Sequence, residues 1–237
     1  MIVENKYIIN GSRVNEANEF RTQELFEILT EMGGIHSEKI GIGRAVLMSK
    51  KLSWVLLTWR IKFIKRPKLN DEILVKTWVG KSDGITSVRD FEIYDTNGEK
   101  IIIASSRWCL INLETRRPVR FDDELSDAYD PEDKNAFGEE LPKVKEPAEY
   151  ELEKEYVIQK TDIDVNGHVH NSNYLDVAFA VIPGFNENEK NYNNVLIEFK
   201  KEIMYEDDVR VYYKNENEQD IVALKVNGKL NALLFLS

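Results

Sequence analysis

The chain has 237 residues, with 32 basic and 42 acidic side chains that give a formal net charge of −10. Its 42% hydrophobic and 31% charged residues are typical of a folded globular protein and exclude a disordered chain. The acidic balance argues against nucleic-acid binding, and no segment approaches the roughly 18 consecutive apolar residues of a membrane-spanning helix.

The first half of the chain predicts a strand, a helix and four further strands. A short apolar run at 7–9 predicts the first strand. Apolar residues at helical spacing predict a helix over 18–32, which Gly33 and Gly34 are expected to end. The turn-forming pair Asn97-Gly98 indicates a hairpin late in the run. The four further strands are predicted at 52–65, 72–80, 87–94 and 100–112.

Residues 122–155 differ from the regions on either side. They contain three of the six prolines, and 14 acidic against 4 basic residues, so they carry the whole net charge of the chain. Apolar periodicity is weak throughout. This composition predicts a connection that crosses the surface, and we place an acidic linker at 122–150.

The second half repeats the order of the first. A strand at 152–160 precedes a helix at 173–182 that is apolar nearly all round and is therefore expected to be buried. Four more strands are predicted at 194–203, 208–214, 220–225 and 230–236. Strands grouped after one helix indicate an α+β fold with an antiparallel sheet, and a helix wrapped by such a sheet describes the hotdog fold. We therefore predict two tandem hotdog modules, residues 1–121 and 151–237, that share one continuous sheet.

The polar turn ahead of the second helix carries the most distinctive pattern. Asp164, Asn166 and His168 alternate along the chain, and alternate residues of an extended segment point to the same side. Their side chains are expected to converge near helix N–H groups that stabilise an oxyanion. Turn formation and helix capping would explain the Asp and Asn residues without catalysis. The histidine and the Val-His-Asn that follows it favour a functional interpretation.

This segment resembles the active-site signature of a known family. Asp164-x-x-Gly167-His168-Val169-x-Asn171 is similar to the signature of hotdog thioesterases, and its Asp-x-Asn-x-His-Val pattern resembles that of acyl-[acyl-carrier-protein] thioesterases. Residues 197–202, Ile-Glu-Phe-Lys-Lys-Glu, resemble that family's acid-aromatic-basic-basic-Glu strand. Further similarity to the family's first module lies at 54–67, 77–79, 104–108 and 115–117.

The resemblance implies a catalytic set of Asp164, Asn166, His168 and Glu202. It implies that Glu202 and Asn166 hold and deprotonate a water, while Asp164 and His168, with a helix N–H, orient and polarise the thioester. The implied activity is hydrolysis of fatty acyl-acyl-carrier-protein thioesters, which terminates fatty acid synthesis.

The single cysteine, Cys109, excludes an intramolecular disulfide. Plant members of the family commonly carry a cysteine after the catalytic glutamate, whereas this chain has Ile203, so we expect direct attack by water. Three scattered histidines and one cysteine form no recognisable ligand spacing, and we expect neither a metal nor an organic cofactor. The first ten residues lack the pattern of a signal or transit peptide, so we expect a cytoplasmic protein.

The partner that the resemblance implies, an acyl carrier protein, is acidic and needs a basic surface to dock. Residues 44–68 contain eight basic and no acidic residues. Within them we predict docking through Arg60, Lys62, Lys65, Arg66 and Lys68. Competing basic patches are Arg116, Arg117 and Arg120, and Lys200 with Lys201.

The resemblance also implies that the acyl chain lies in the first module. Trp54, Leu56 and Thr58 alternate along one strand and are expected to share a face that lines the chain. Plain core packing would explain most of these residues equally well. Asn171, in the signature, is assigned to substrate binding.

Three other interpretations remain open. A hotdog acyl-coenzyme A thioesterase would use much the same turn, although the tandem architecture and Glu202 favour a carrier-protein substrate. A non-catalytic acyl-binding protein would carry the turn as a remnant, and a dehydratase would place its His and acid differently about the helix. A homodimer is compatible with the sequence, although tandem modules already contain the pairing that single hotdogs obtain by dimerising.

Overall fold

The structure is a computed structural model that describes residues 1–80, 82–120, 123–186 and 190–237. The first half contains β1 (Val3–Ile8), α1 (Thr22–Lys39), α2 (Arg44–Ser49), β2 (Leu52–Phe63), β3 (Glu72–Val79), β4 (Thr86–Tyr94) and β5 (Lys100–Asn112). The remainder contains α3 (Asp123–Ala128), β6 (Leu152–Tyr156), α4 (Asn173–Phe179), β7 (Asn194–Phe199), β8 (Val209–Glu216), β9 (Gln219–Val226) and β10 (Lys229–Leu236).

The ten strands of the described residues form one antiparallel sheet in the order β1-β3-β4-β5-β2-β7-β10-β9-β8-β6. This order is mirrored about the central β2–β7 pair. If the five strands of each half are numbered in chain order, the second strand lies at the centre, and the fifth, fourth, third and first follow outward. At this seam Thr58 lies opposite Glu198 and Trp59 lies opposite Ile197. The chain is therefore an α+β protein with two hotdog modules in tandem and a continuous sheet, which confirms the predicted fold.

Each module packs its sheet against one helix. Trp59 on β2 is fully buried and meets Phe26 of α1 edge-on, with ring centroids 5.5 Å apart. The buried apolar face of α1 comprises Leu25, Phe26, Ile28, Leu29 and Met32, and that of α4 comprises Tyr174, Leu175, Val177 and Ala178. Within the described part of the chain, no helix is both long and apolar enough to cross a membrane.

The first helix continues beyond its predicted end. The prediction that Gly33 and Gly34 stop it is wrong, since α1 runs to Lys39. An interior glycine costs about 1 kcal/mol relative to alanine, but tertiary packing overrides this preference. The extra turns bury His36, whose Nδ1 lies 3.0 Å from Nη1 of Arg89. Burial and the charge of Arg89 lower the pKa of His36 to about 3, so it is neutral and structural.

The acidic connection first contacts α1, where Tyr129 meets His36 edge-on with ring centroids 5.3 Å apart, and then runs over the face of the sheet opposite the helices. Its predicted start, the boundary between residues 121 and 122, lies outside the described residues. The Trp78 indole donates to the carbonyl of Lys134 (3.1 Å), and Arg60 of β2 pairs with Glu139 (2.7 Å). Further along, Val144 packs on Ile221, Ala223 and Leu233 of the second module. The connection therefore touches both modules, and it contains the short helix α3, which was not predicted.

Candidate active site

The predicted catalytic turn is a closed loop rather than an extended segment. Ile163 and Val169 pair across its base, Asp164 N donates to His168 O (2.8 Å), and Gly167 N donates to Asp164 O (3.1 Å). Gly167 has a φ of 84°, a left-handed conformation that glycine adopts without strain. The segment is therefore not the extended one that the alternation predicted, and the turn itself brings the polar side chains together.

Asp164 organises the loop. Its Oδ1 accepts hydrogen bonds from the N–H groups of Asn166 (2.8 Å) and His168 (3.1 Å), and its Oδ2 accepts from Nδ2 of Asn166 (3.0 Å). Partial burial works against the ionised form, but these hydrogen bonds outweigh it and hold the pKa of Asp164 below its usual value. Asp164 is therefore an anionic acceptor at neutral pH.

His168 and Glu202 meet between the loop and the end of β7. Nε2 of His168 lies 3.6 Å from Oε2 of Glu202. The segment that carries Glu202 is held by the buried Asn231, whose Nδ2 donates to the Glu202 carbonyl (3.0 Å). The backbone of His168 bridges Met204 and so ties the loop to the same segment. The structure thus brings all four predicted catalytic residues into one cluster.

Two arginines from the first module reach this cluster. Nη2 of Arg44, on α2, donates to Oδ1 of Asn166 (3.1 Å), and Nη2 of Arg116 pairs with Oε2 of Glu202. Sequence reasoning named Arg116 only as part of a basic patch and did not place Arg44 at the site. α2 was not predicted, and the Thr115-Arg116-Arg117 motif was the one signal that the sequence offered.

The three residues predicted to line the acyl chain on β2 do not all share a face. A β-bulge between Leu56 and Thr58 shifts the register of β2 against β5. The extra residue reverses the alternation of side chains along β2. Leu56 therefore lies in the same core cluster as Trp59, and Thr58 lies outside that cluster. Trp54 packs in a separate cluster beneath α2, with Leu110. The shared-face prediction is therefore wrong for Thr58, since it assumed an unbroken strand, whereas the register from Trp54 to Leu56 is regular.

Trp54 nevertheless lines a small pocket in the first module. The pocket has a cavity volume of about 10 Å³, roughly the space that one water molecule needs. Its lining comprises Trp54, Val79, Ser82, Ser87, Leu125, Ser126 and Tyr129. Asn171 is half-buried on the approach to α4, three residues after His168.

The predicted docking residues have varied surroundings. Arg60 pairs with Glu139 and Lys65 with Asp95, whereas Lys62 and Lys68 are exposed. The Arg66 guanidinium donates to the carbonyls of Phe20 (2.7 Å) and Tyr192 (2.7 Å), and burial lowers its pKa to about 10. Arg66 thus links the two modules internally and is not available to a partner.

The mirrored strand order and the two wrapped helices define a double-hotdog protein. Residues 2–129 match the family model of the acyl-ACP thioesterase N-terminal domain, and residues 145–232 match that of the C-terminal domain. The chain belongs to the acyl-ACP thioesterase family.

Curated relatives agree with this assignment. Oleoyl-acyl carrier protein thioesterase 2, chloroplastic, of Arabidopsis thaliana is 27% identical over 94% of this chain and 65% of its own length. Palmitoyl-acyl carrier protein thioesterase, chloroplastic, of Cuphea hookeriana is 34% identical over 57% of this chain and 34% of its own length. The chain spans 60–65% of the first three curated relatives.

Two solved structures share the fold. An acyl-ACP thioesterase from Bacteroides thetaiotaomicron superposes with a TM-score of 0.87 at 23% identity, over 99% of this chain and 96% of that one. The 12:0-ACP thioesterase from Umbellularia californica superposes with a TM-score of 0.86 at 19% identity, over 100% of this chain and 96% of that one. The tandem architecture is therefore common to all three chains.

Proposed function

We propose that this protein hydrolyses fatty acyl-acyl-carrier-protein thioesters to a free fatty acid and the carrier protein, and so terminates fatty acid synthesis. The observation that carries the proposal is the approach of His168 Nε2 to Glu202 Oε2, 3.6 Å apart, beside the hydrogen-bonded pair Asp164–Asn166. This cluster lies in a chain whose two halves match the two domains of the family.

In the proposed reaction Glu202 acts as the base. Its carboxylate takes a proton from a water whose oxygen attacks the thioester carbonyl carbon. The resulting oxyanion collapses, the C–S bond breaks, and the departing thiolate takes the proton back from Glu202. The carrier's thiol and the fatty acid are the products, so no cofactor or metal is consumed.

Side chains, rather than the nearest amides, are proposed to polarise the carbonyl. The N–H groups of Val169 and His170 already donate to the carbonyls of Ile203 and Asp162, each at 2.8 Å. Asn166 accepts from Arg44 at Oδ1 and donates to Asp164 through Nδ2, which leaves the second Nδ2 hydrogen for the substrate. We therefore reassign Asn166 from holding the water to polarising the carbonyl together with His168, while Asp164 holds the Asn166 amide.

The carrier protein is proposed to dock at the catalytic end of the sheet. Leu52 pairs with Asn112 at that end of β2, and Phe63 pairs with Ile102 at the other end, next to Lys65. A strand of 12 residues at about 3.3 Å per residue is roughly 40 Å long. A phosphopantetheine arm has about the length of a six-residue extended peptide, roughly 20 Å.

Docking centred on Lys65 and Lys68 would therefore leave the thioester short of Glu202. Arg117, five residues beyond Asn112, and Lys200 with Lys201, just before Glu202, lie within reach of the arm. We propose that these three residues, rather than the basic strip that the sequence predicted, receive the acidic carrier.

The test is a turnover panel with purified protein, acyl-carrier thioesters of graded chain length and the matching coenzyme A thioesters. We expect hydrolysis of carrier-bound substrates, and a loss of about 10²- to 10⁴-fold in kcat for Glu202→Gln. Glu206→Gln, an exposed acid nearby, is the matched control. Turnover restricted to coenzyme A substrates would contradict the carrier assignment, and no turnover at all would favour an acyl-binding protein.

We further propose that the protein forms a homodimer and lies in the cytoplasm. Light scattering coupled to size-exclusion chromatography tests the first, and fractionation of the native host tests the second. A strictly monomeric protein or a membrane-bound pool would contradict them.

A further inference from the structure

Arg116 occupies a backbone position that does not suit an arginine. Its φ is 55°, in the left-handed region that glycine adopts without strain. The turn that imposes this conformation is tightly bonded: Arg116 N donates to Asn112 O (2.8 Å), and Asn112 Oδ1 accepts from the amides of Glu114 (3.0 Å) and Thr115 (2.9 Å). Since the side chain is exposed, core packing does not account for an arginine here.

The Arg116 side chain instead crosses from the first module to the catalytic cluster of the second. It pairs with Oε2 of Glu202, the same oxygen that lies 3.6 Å from Nε2 of His168. Within the described part of the chain, no other lysine or arginine pairs with this carboxylate. A charge-assisted hydrogen bond from a rigid guanidinium restricts the rotation of its partner.

We propose that Arg116 is a positioning residue that holds the Glu202 carboxylate against His168, so that the first module supplies part of the catalytic machinery. The proposal rests on the hydrolase function proposed above. This role explains the strained backbone at residue 116, because the left-handed turn directs the guanidinium towards Glu202.

Two other roles make different predictions. If Arg116 only received the carrier protein, its loss would raise KM and leave kcat unchanged. If it only held the two modules together, its loss would lower the melting temperature. A positioning role lowers kcat with little change in either of these quantities.

The decisive variant is Arg116→Gly, which removes the guanidinium and suits the left-handed backbone. We expect an unchanged or raised melting temperature, a KM within a factor of about two, and a kcat lowered by about 10- to 100-fold. Added methylguanidinium should restore part of the lost kcat, and methylammonium should restore less, because only the former reproduces the planar fork. Arg116→Lys should retain intermediate activity for the same reason.

Glu218→Gly is the matched control, since Glu218 is exposed, has a φ of 62° and lies in the β8–β9 turn. It should match the stability gain of Arg116→Gly, keep wild-type kcat and show no response to methylguanidinium. A wild-type kcat in Arg116→Gly, an effect confined to KM, or the absence of rescue overturns the positioning role while the hydrolase function stands. A wild-type protein that hydrolyses no thioester overturns both proposals.

Discussion

Nη2 of Arg44 lies 3.1 Å from Oδ1 of Asn166, so a helix of the first module sets the orientation of a carboxamide in the catalytic loop of the second. Because Oδ1 accepts from Arg44 and Nδ2 donates to Asp164, the amide has one orientation that satisfies both contacts.

Arg44→Ala should therefore lower kcat/KM about fivefold, which corresponds to roughly 1 kcal/mol for one hydrogen bond. The effect acts through Asn166, so Arg44→Ala should add nothing in an Asn166→Ala background. Steady-state kinetics on the two single variants and the double variant measure the coupling. Additive losses would show that Arg44 contributes through some other contact.

The backbone of the catalytic loop provides a second prediction. Gly167→Ala should destabilise the protein by about 1–2 kcal/mol, because an L-residue is strained in the left-handed region. Gly34→Ala, inside α1, should instead stabilise it by roughly 0.5–1 kcal/mol. A Cβ at either position would meet no other atom within 4 Å, so the pair isolates backbone conformation. Urea unfolding measures both changes, and equal effects of the two variants would contradict the argument.

His36 should make the stability of the protein depend on pH. Its pKa is about 3 in the folded protein and about 6.5 in an unfolded chain. Below pH 6.5 His36 binds a proton in the unfolded state but not in the folded state. The free energy of unfolding therefore falls as the pH drops from about 6.5 towards 3.

His36→Gln removes this linkage and keeps an acceptor for Arg89. The stability difference between wild type and His36→Gln should therefore be largest above pH 6.5 and should shrink as the pH falls. Urea titrations at several pH values between 4 and 8 measure it. A constant difference across this range would mean that His36 titrates alike in both states.

The location of the carrier dock is tested by charge reversal at the two ends of β2. Arg117→Glu with Lys201→Glu should raise KM for the carrier-bound substrate about 5- to 10-fold at low salt, and less at high salt. Lys65→Glu with Lys68→Glu should leave KM unchanged, because the arm cannot span the strand. The opposite pattern would restore the docking site that the sequence predicted.

The succession of strands and helices along the chain was predictable because hydrophobic periodicity and Asn-Gly turns are local signals, whereas the order of the strands within the sheet was not predicted. Most strand ends agree within two residues, and two predicted strands, at 152–160 and 194–203, run four residues too long. The end of α1 was not predictable from Gly33 and Gly34, because the burial of His36 against Arg89 depends on a strand some fifty residues away. Tertiary contacts of this kind override local propensity.

The catalytic cluster was predictable only in part. Residues 164–168 form one turn, and their pattern is visible in a single segment. Glu202 could be assigned to the site only from the family resemblance. The positions of Arg44 and Arg116 could not be predicted, because they depend on the pairing of β2 with β7 that brings the two modules together. The β-bulge at Leu56 is equally hidden, since nothing in the local sequence marks the extra residue.

The acidic connection gives the sheet two electrically different faces. Residues 122–155 hold 14 acidic and 4 basic side chains, and on the face opposite the helices Glu139 pairs with Arg60 and Glu146 pairs with Lys225. An acidic protein that approaches this face is repelled by the acidic side chains of the connection. An acidic carrier is therefore expected to avoid this face and to approach the catalytic end of the sheet, where its docking is proposed above.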